Sequence, residues 1–415
     1  MPHQKHDYLI KNAYNTSQLY KDLKSIVVYN CYLIDIDNFS NINDAFGHKA
    51  GNLVLNQVFY YLNKIVSKDF KIYRFYADKF VILNPNHLEK EELIEFANSI
   101  LISFSEMEFN IDNEDDLTIR LSLSIGISTG IGTTTLTNAE LALKEVRSFS
   151  RNSVNIFNPM SEYIYKMQKN MYWIEKIKKA IYENETVVHY QPIINNKTGK
   201  IEKYECLIRL IDEDKVISPY LFLEAAKLTG NLTSLTQLLI IQSFKKFKNS
   251  DISFSINITS QDLLKNYLEK VLIRECKKNN VNCKNVTLEL LESIETLEKK
   301  EIKEQLSKLR EYGFKIAFDD FGAENSNFYK ILEFNPDYVK IDGMFIKNIN
   351  TDKKSRIITE AIVSMCKKSD IKMIAEYVHN KEVYNTIKNL GIEYSQGYFI
   401  GKPQEGLIDE DDLNL

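Results

Sequence analysis

Close cysteine pairs, an excess of one charge and long apolar runs are all missing from this 415-residue chain. Its five cysteines, Cys31, Cys206, Cys276, Cys283 and Cys366, are odd in number and scattered, and none forms a CxxC pair. That speaks against a disulfide framework or a zinc site, and for a reducing compartment, the cytosol. With 53 basic and 57 acidic residues the net charge is −4. So even a balance gives no strong field toward nucleic acid or anionic lipid. No apolar run approaches the roughly 20 residues of a membrane span, and the first residues carry no signal-peptide pattern. What remains is the composition of a soluble globular protein, 44% hydrophobic and 27% charged, on a chain long enough for two domains.

Periodicity along the chain supports that division. After a short helix come a strand at 27–36, a helix at 50–66 and two strand-like runs within 71–83. The two runs are parted by a turn, Tyr76-Ala77-Asp78-Lys79. A helix at 88–104, an alternating strand at 118–128 and a helix at 138–149 follow. This mixed order predicts an α+β domain. A helical stretch beginning at Pro159 and ending at Glu183 is expected to join two domains without belonging to either core. The predicted limits are 1–158, 159–183 and 184–415. From Val187 onward strand and helix patterns alternate to the end, as a (β/α)8 barrel requires.

Polar residues recur at one place in that repeat. Glu205, Asn257, Glu289, Asp319-Asp320, Lys340, Glu376 and Gln396 each sit at or just beyond the end of a short apolar run. Acids are costly where strands converge on a core unless a cation is bound there. A barrel resolves the conflict, because its strand ends open into one polar mouth. Carboxylates and an amide, without histidine or thiolate, suit hard cations such as Mg²⁺. Two adjacent aspartates can bridge or divide two metals roughly 3.5–4 Å apart, an arrangement that activates water in phosphodiester cleavage. Lys340 would hold the attacking water or balance charge, and Arg209 would grip a phosphate through its forked donors.

Residues 182–407 resemble the EAL cyclic di-GMP phosphodiesterases, a TIM-type (β/α)8 barrel family. The likeness rests on Glu205-Cys206-Leu207, Tyr190-Gln191-Pro192-Ile193, Ser255-Ile256-Asn257, Glu289-Leu290-Leu291-Glu292, Asp319-Asp320-Phe321-Gly322, Lys340-Ile341-Asp342, Ala375-Glu376 and Gln396-Gly397-Tyr398, in family order. The resemblance implies cleavage of cyclic di-GMP to pGpG with two Mg²⁺ or Mn²⁺ ions. Glu205, Asn257, Glu289, Asp319, Asp320 and Glu376 would be the metal ligands, with Glu376 also a candidate base. Lys340 and Gln396 would position water, Gln191 and Arg209 would meet the substrate, and Glu292 would anchor the loop after the aspartate pair. It also implies that two copies pair through the region around Asp319-Asp320. The chain departs from the family at Cys206, where alanine is usual, and at Tyr377 and His379, which replace a glycine and a glutamate. The loop Ala323-Glu324-Asn325-Ser326-Asn327 has drifted as well. These departures keep open a second reading, a non-catalytic cyclic di-GMP receptor or protein scaffold.

Residues 20–158 resemble the GGDEF nucleotidyl-cyclase family, through Asp35-Ile36-Asp37-Asn38-Phe39, Ile42-Asn43-Asp44, Gly47-His48, Ser124-Ile125-Gly126 and Arg151-Asn152. The signature loop reads Tyr76-Ala77-Asp78-Lys79-Phe80. Two glycines there would let the backbone approach phosphates; Tyr76 and Ala77 remove that freedom and Lys79 reverses a charge. Asn52 stands where an aspartate would read guanine. Cyclase activity is therefore not expected, and Ser67-Lys68-Asp69-Phe70 provides no RxxD inhibitory motif. Asp35, Asn43, Asp78, Arg147 and Arg151 match nucleotide and metal contacts, so bound GTP could still act as a regulator.

Overall fold

A computed structural model describes residues 15–25, 27–112, 117–265, 267–291, 299–322, 333–410 and 413. They form two compact units, divided between Gln168 and Lys169. Among the described residues no helix is long and apolar enough to cross a membrane.

The first unit is built on one sheet. Its strands β1 (Tyr29–Ile36), β2 (Lys71–Arg74), β3 (Lys79–Asn84), β4 (Leu123–Gly130) and β5 (Val154–Ile156) lie in the order β2-β3-β1-β4-β5. All eight residues of β1 are buried, as befits a central strand covered on both faces. Tyr32, Ile34 and Ile36 pack with helices Phe39–Ile65 and Lys90–Ser105. Cys31 and Leu33 face the other way, toward helices Thr16–Leu23 and Thr133–Phe149. The expected helix at 50–66 starts earlier than its periodicity implies, because it continues across a kink at Gly47, where φ is 81°. The strand expected at 118–128 is two pieces, Thr118–Ile119 and Leu123–Gly130.

The second unit is a closed barrel of eight strands: β6 (Thr186–Asn195), β7 (Ile201–Asp212), β8 (Ser253–Ile258), β9 (Val286–Leu291), β10 (Lys315–Phe321), β11 (Tyr338–Ile341), β12 (Lys372–Ala375) and β13 (Tyr394–Gln396). Neighbours from β7 through β13 pair in parallel. The first strand is the exception, since β6 runs antiparallel to both β7 and β13. The cause is local: the turn 196–200 is too short for the crossover that parallel strands need.

Alternation along β7 sorts its side chains. Tyr204, Cys206, Ile208 and Leu210 pack outward into the main core, which leaves Lys203, Glu205, Leu207 and Arg209 on the inner face. Glu205 therefore lies within its strand rather than at the end expected from its apolar run. The strand carries on to Asp212 because its last turn pairs with Lys215–Ile217. Below Glu205 the interior is packed. Ile193, Ala317, Tyr338, Ile374 and Tyr394 form one buried cluster, and Lys203 Nζ stands 3.1 Å from the centroid of the Tyr338 ring.

Two further expectations need adjustment. The connecting helix is continuous, Glu162–Glu183, but Trp173, Ile177 and Ala180 are buried in the second unit's core. One face of it is thus barrel packing as well as connection. The scattered cysteines also include a close pair. Cys276, on helix Leu268–Asn279, meets Cys283 with the sulfurs 3.0 Å apart, both reduced. The chain doubles back between them at left-handed Asn280, which spacing alone does not reveal.

Candidate active site

The inner face of the barrel gathers the polar residues singled out above. Consecutive residues of a strand normally face opposite ways, so Asp319 and Asp320 should not both reach one mouth. They do so because β10 is irregular there. Its register with β11 shifts between Phe318 and Phe321, and Asp320 takes a left-handed backbone with φ 51°. Bulges of this kind re-aim side chains beside active sites.

Two groups of carboxylates result. Glu205, Glu289 and Asp319 form one, and Asp319, Asp320 and Glu376 the other; within each group one ligand oxygen per residue lies within 4.8 Å of the rest. Asp319 belongs to both. The donor set is oxygen throughout, which fits hard divalent cations better than zinc or copper. The amide of Asn257 adjoins the first group, donating from Nδ2 to Glu205 Oε1 at 2.8 Å.

Lys340 stands at the centre of these acids and is 1% exposed on its side chain. Its Nζ lies 2.8 Å from Asp319, 2.9 Å from Glu289, 2.9 Å from Glu376 and 3.3 Å from Glu205. Burial opposes its charge, but the four carboxylates outweigh burial and hold the ammonium pKa well above its ordinary value. The acids divide in response. Burial pushes Glu289 up to about 8, with Glu205 and Asp319 adding and Lys340 opposing. Burial likewise raises Glu376 well above the carboxylate range, and raises Asp320 to about 6 with help from Asp319 and Asp342. Glu205 goes the other way. Burial would raise it too, yet Lys340, Gln396 and Asn257 together hold it below its usual value. One cation thus serves a cluster that is too acidic to ionise fully without more positive charge.

An amide relay orients Glu205 from the other side. Gln396 Nε2 donates to Glu205 Oε2 at 2.5 Å and to Gln191 Oε1 at 3.0 Å, and Gln191 donates to the Gly401 carbonyl at 3.2 Å. Above the acids opens a cleft of about 600 Å³, lined by Glu205, Asp320, Glu376, Gln191 and Gln396 and by residues that periodicity did not single out, among them Lys347. Arg209 does not line it. It is buried and donates to the carbonyl of Ile208 at 2.9 Å. Glu292 lies outside the described residues.

The first unit brings together a smaller set. Asp35 is 1% exposed and accepts from Arg147 Nη1 at 2.9 Å, while Lys79 Nζ approaches to 4.0 Å. Burial and the neighbouring Asp78 nevertheless raise its carboxyl to about 6, against Arg147 and Lys79. Arg151 instead donates to Asn38. Asn43 leans on Gly51, where a β-carbon would fall 2.1 Å from its Oδ1. In the signature turn Tyr76 is half exposed, bonded to Glu140 through its hydroxyl, and crossed by Lys79 at 5.3 Å from its centroid. Ala77 takes φ 49°, a conformation that glycine adopts without strain. Ala77→Gly is therefore expected to stabilise the protein by about 0.5–1 kcal/mol. The check is a thermal melt, and a lowered midpoint would refute the strain.

Residues 174–403, more than half of the chain, match the family model for the EAL domain. The chain belongs to the EAL domain family. Residues 13–153 match the model described as diguanylate cyclase, GGDEF domain. Most of the chain is similar to the cyclic di-GMP phosphodiesterase PdeB of Shewanella oneidensis, 27% identical over 388 residues, which are 90% of this chain and 44% of that protein. It is also similar to signaling protein YkoW of Bacillus subtilis, 28% identical over 384 residues, 90% of this chain and 47% of that one. The chain spans about half the length of these curated relatives. Among solved structures, the EAL domain protein from Listeria monocytogenes EGD-e is 27% identical with a TM-score of 0.51, covering 56% of this chain and 93% of that one. The Xanthomonas citri FimX EAL domain, solved with c-diGMP, shares the fold at 18% identity and a TM-score of 0.54, covering 59% and 98%.

Within this EAL domain the departures can now be placed. Cys206 is buried on the outward face of β7, among core residues. His379 is exposed, with Nδ1 3.3 Å from the Tyr377 carbonyl and Nε2 3.0 Å from Asn380, and it belongs to neither acidic group. Tyr377 lines the cleft. The loop after Gly322 lies outside the described residues.

Proposed function

We propose that the EAL domain hydrolyses cyclic di-GMP to the linear dinucleotide pGpG, with Mg²⁺ or Mn²⁺ held by Glu205, Asn257, Glu289, Asp319, Asp320 and Glu376. The observation that carries this reading is the pair of acidic groups sharing Asp319 at the floor of an open cleft. The names of curated relatives such as PdeB support the substrate. Bound at the two groups, divalent cations would polarise the phosphodiester and acidify a water. The chain's own residues do the rest. Water oxygen bonds to phosphorus, the bond from phosphorus to a ribose 3′ oxygen breaks, and that oxygen takes up a proton from the solvent that fills the open cleft. Glu376, which lines the cleft beside Asp319 and Asp320, takes the proton from the water. Lys340 keeps four acids from repelling one another, and Gln396 with Gln191 fixes the orientation of Glu205.

In the same reading Glu292 serves the loop after the aspartate pair, two copies pair near Asp319-Asp320, and the protein works in the cytosol; Arg209 meets a phosphate only by leaving the Ile208 carbonyl. The first unit binds GTP through Asp35, Asn43, Asp78, Arg147 and Arg151 without cyclising it. The test is incubation of the purified chain with Mn²⁺ and cyclic di-GMP, followed by chromatography. Appearance of pGpG is expected. Tight binding without cleavage would favour the receptor reading instead, and neither binding nor cleavage would reject both.

A further inference from the structure

We propose that Tyr377 is a stacking platform for one purine of the bound cyclic dinucleotide, an inference that rests on the substrate proposed above. Tyr377 follows Glu376 directly, and its backbone is left-handed, with φ 54°. A β-carbon is disfavoured in that conformation, and strained positions that persist cluster at ligand sites. Core packing does not account for it, because the residue is 54% exposed.

The ring is nonetheless seated. A β-carbon on Gly343 would fall 2.7 Å from Tyr377 Cβ and 3.2 Å from its Cγ. The side chain therefore fits only because position 343, which opens the short helix Gly343–Ile346 after β11, has none. Lys347 Nζ lies 5.7 Å from the ring centroid, and the His379 ring lies 5.8 Å away at 54°. Gly343, Lys347, Tyr377 and His379 all line the same cleft as Glu205 and Glu376. An exposed aromatic face beside the Lys347 ammonium, next to an acidic reaction centre, matches a ligand that combines a flat base with phosphates. Bases stack on such rings, and the adjoining ammonium answers the phosphate charge.

The experiment compares the full chain with Tyr377→Gly and Tyr377→Phe. Binding of cyclic di-GMP is measured by calorimetry with Ca²⁺ in place of Mn²⁺, and hydrolysis with Mn²⁺. Tyr377→Gly is expected to raise Kd and KM about tenfold with kcat changed less than threefold, whereas Tyr377→Phe keeps wild-type values. Because glycine relieves the backbone, its melting point should equal or exceed that of the wild type, which separates lost stacking from lost folding. Unchanged Kd and KM, or faster turnover in Tyr377→Gly, would overturn the proposal; the latter would make the ring an obstruction. If the wild type binds without cleaving, the proposed reaction fails but the Kd comparison still judges Tyr377. If it does not bind, both fall.

Discussion

Lys340→Met lowers the stability of the metal-free protein by roughly 3–5 kcal/mol, the usual cost of stripping the partner from a buried ionic cluster. Methionine fills similar space, so the loss is one of charge. Glu205, Glu289, Asp319 and Glu376 all lie within 3.3 Å of the ammonium, and without it each loses the cation that offsets its charged neighbours. The pH dependence has a definite sign. Glu289 is held at about 8, against an unfolded value of 4.5, even with Lys340 present. Acids raised in this way favour the folded state while they keep their protons, and that contribution is lost as pH rises through the folded value. The deficit of the variant is therefore small near pH 4.5 and grows through pH 8. Saturating Mn²⁺ narrows it, because ligands that bind only the folded state stabilise it and here restore positive charge. Thermal melts in EDTA and in Mn²⁺ across this range provide the check. Equal midpoints for variant and wild type in EDTA at pH 8 would show that Lys340 does not hold the cluster together.

If the proposed reaction holds, Asp319→Asn abolishes most hydrolysis of cyclic di-GMP, with an expected loss above ~100-fold, since even outer partners of metal ligands cost 10–100-fold. The substitution keeps the side chain's shape and removes its charge. Asp319 is the residue common to both acidic groups, whereas Asp320 belongs to one. Asp320→Asn should therefore lose less, and raising Mn²⁺ should recover more of its rate. Initial rates at several Mn²⁺ concentrations decide the matter. An Asp319→Asn rate within threefold of wild type would remove the shared carboxylate from the mechanism.

Much of the barrel was legible because its strand ends repeat a chemical oddity, acids where a core should be apolar. Glu205, Glu289, Asp319 and Glu376 stood out on that ground and the fold gathers them. What escaped depends on backbone detail that composition does not encode. A reversed β6 has the same apolar pattern as a parallel strand, and only the shortness of the 196–200 turn betrays it. The bulge that lets Asp319 and Asp320 face together leaves no mark in the order of residues. Lys340 was expected to hold water or balance charge; its contact with four carboxylates could not be read from one lysine in an apolar run. Tyr377 was visible as a departure, but its bearing on Gly343 was not, since the two positions share no local pattern. In the first unit, Asp35 and Arg147 meet as their types imply, while Arg151 turns to Asn38.

The ring of strands also has a seam. β6 joins β7 through nine paired residues but joins β13 through three, reinforced where Tyr190 and Gln404 exchange backbone bonds. Its two lips carry Gln191 and Gln396, 205 positions apart in the chain, so zipping them shut closes a loop that takes in nearly the whole barrel. Parting the two amides would remove the Gln396 bond to Glu205 and leave that carboxylate to Asn257 and Lys340. The segment around Gln404 thus pins this seam through its two backbone bonds to Tyr190, and amide exchange at Tyr190 would report how often the seam opens.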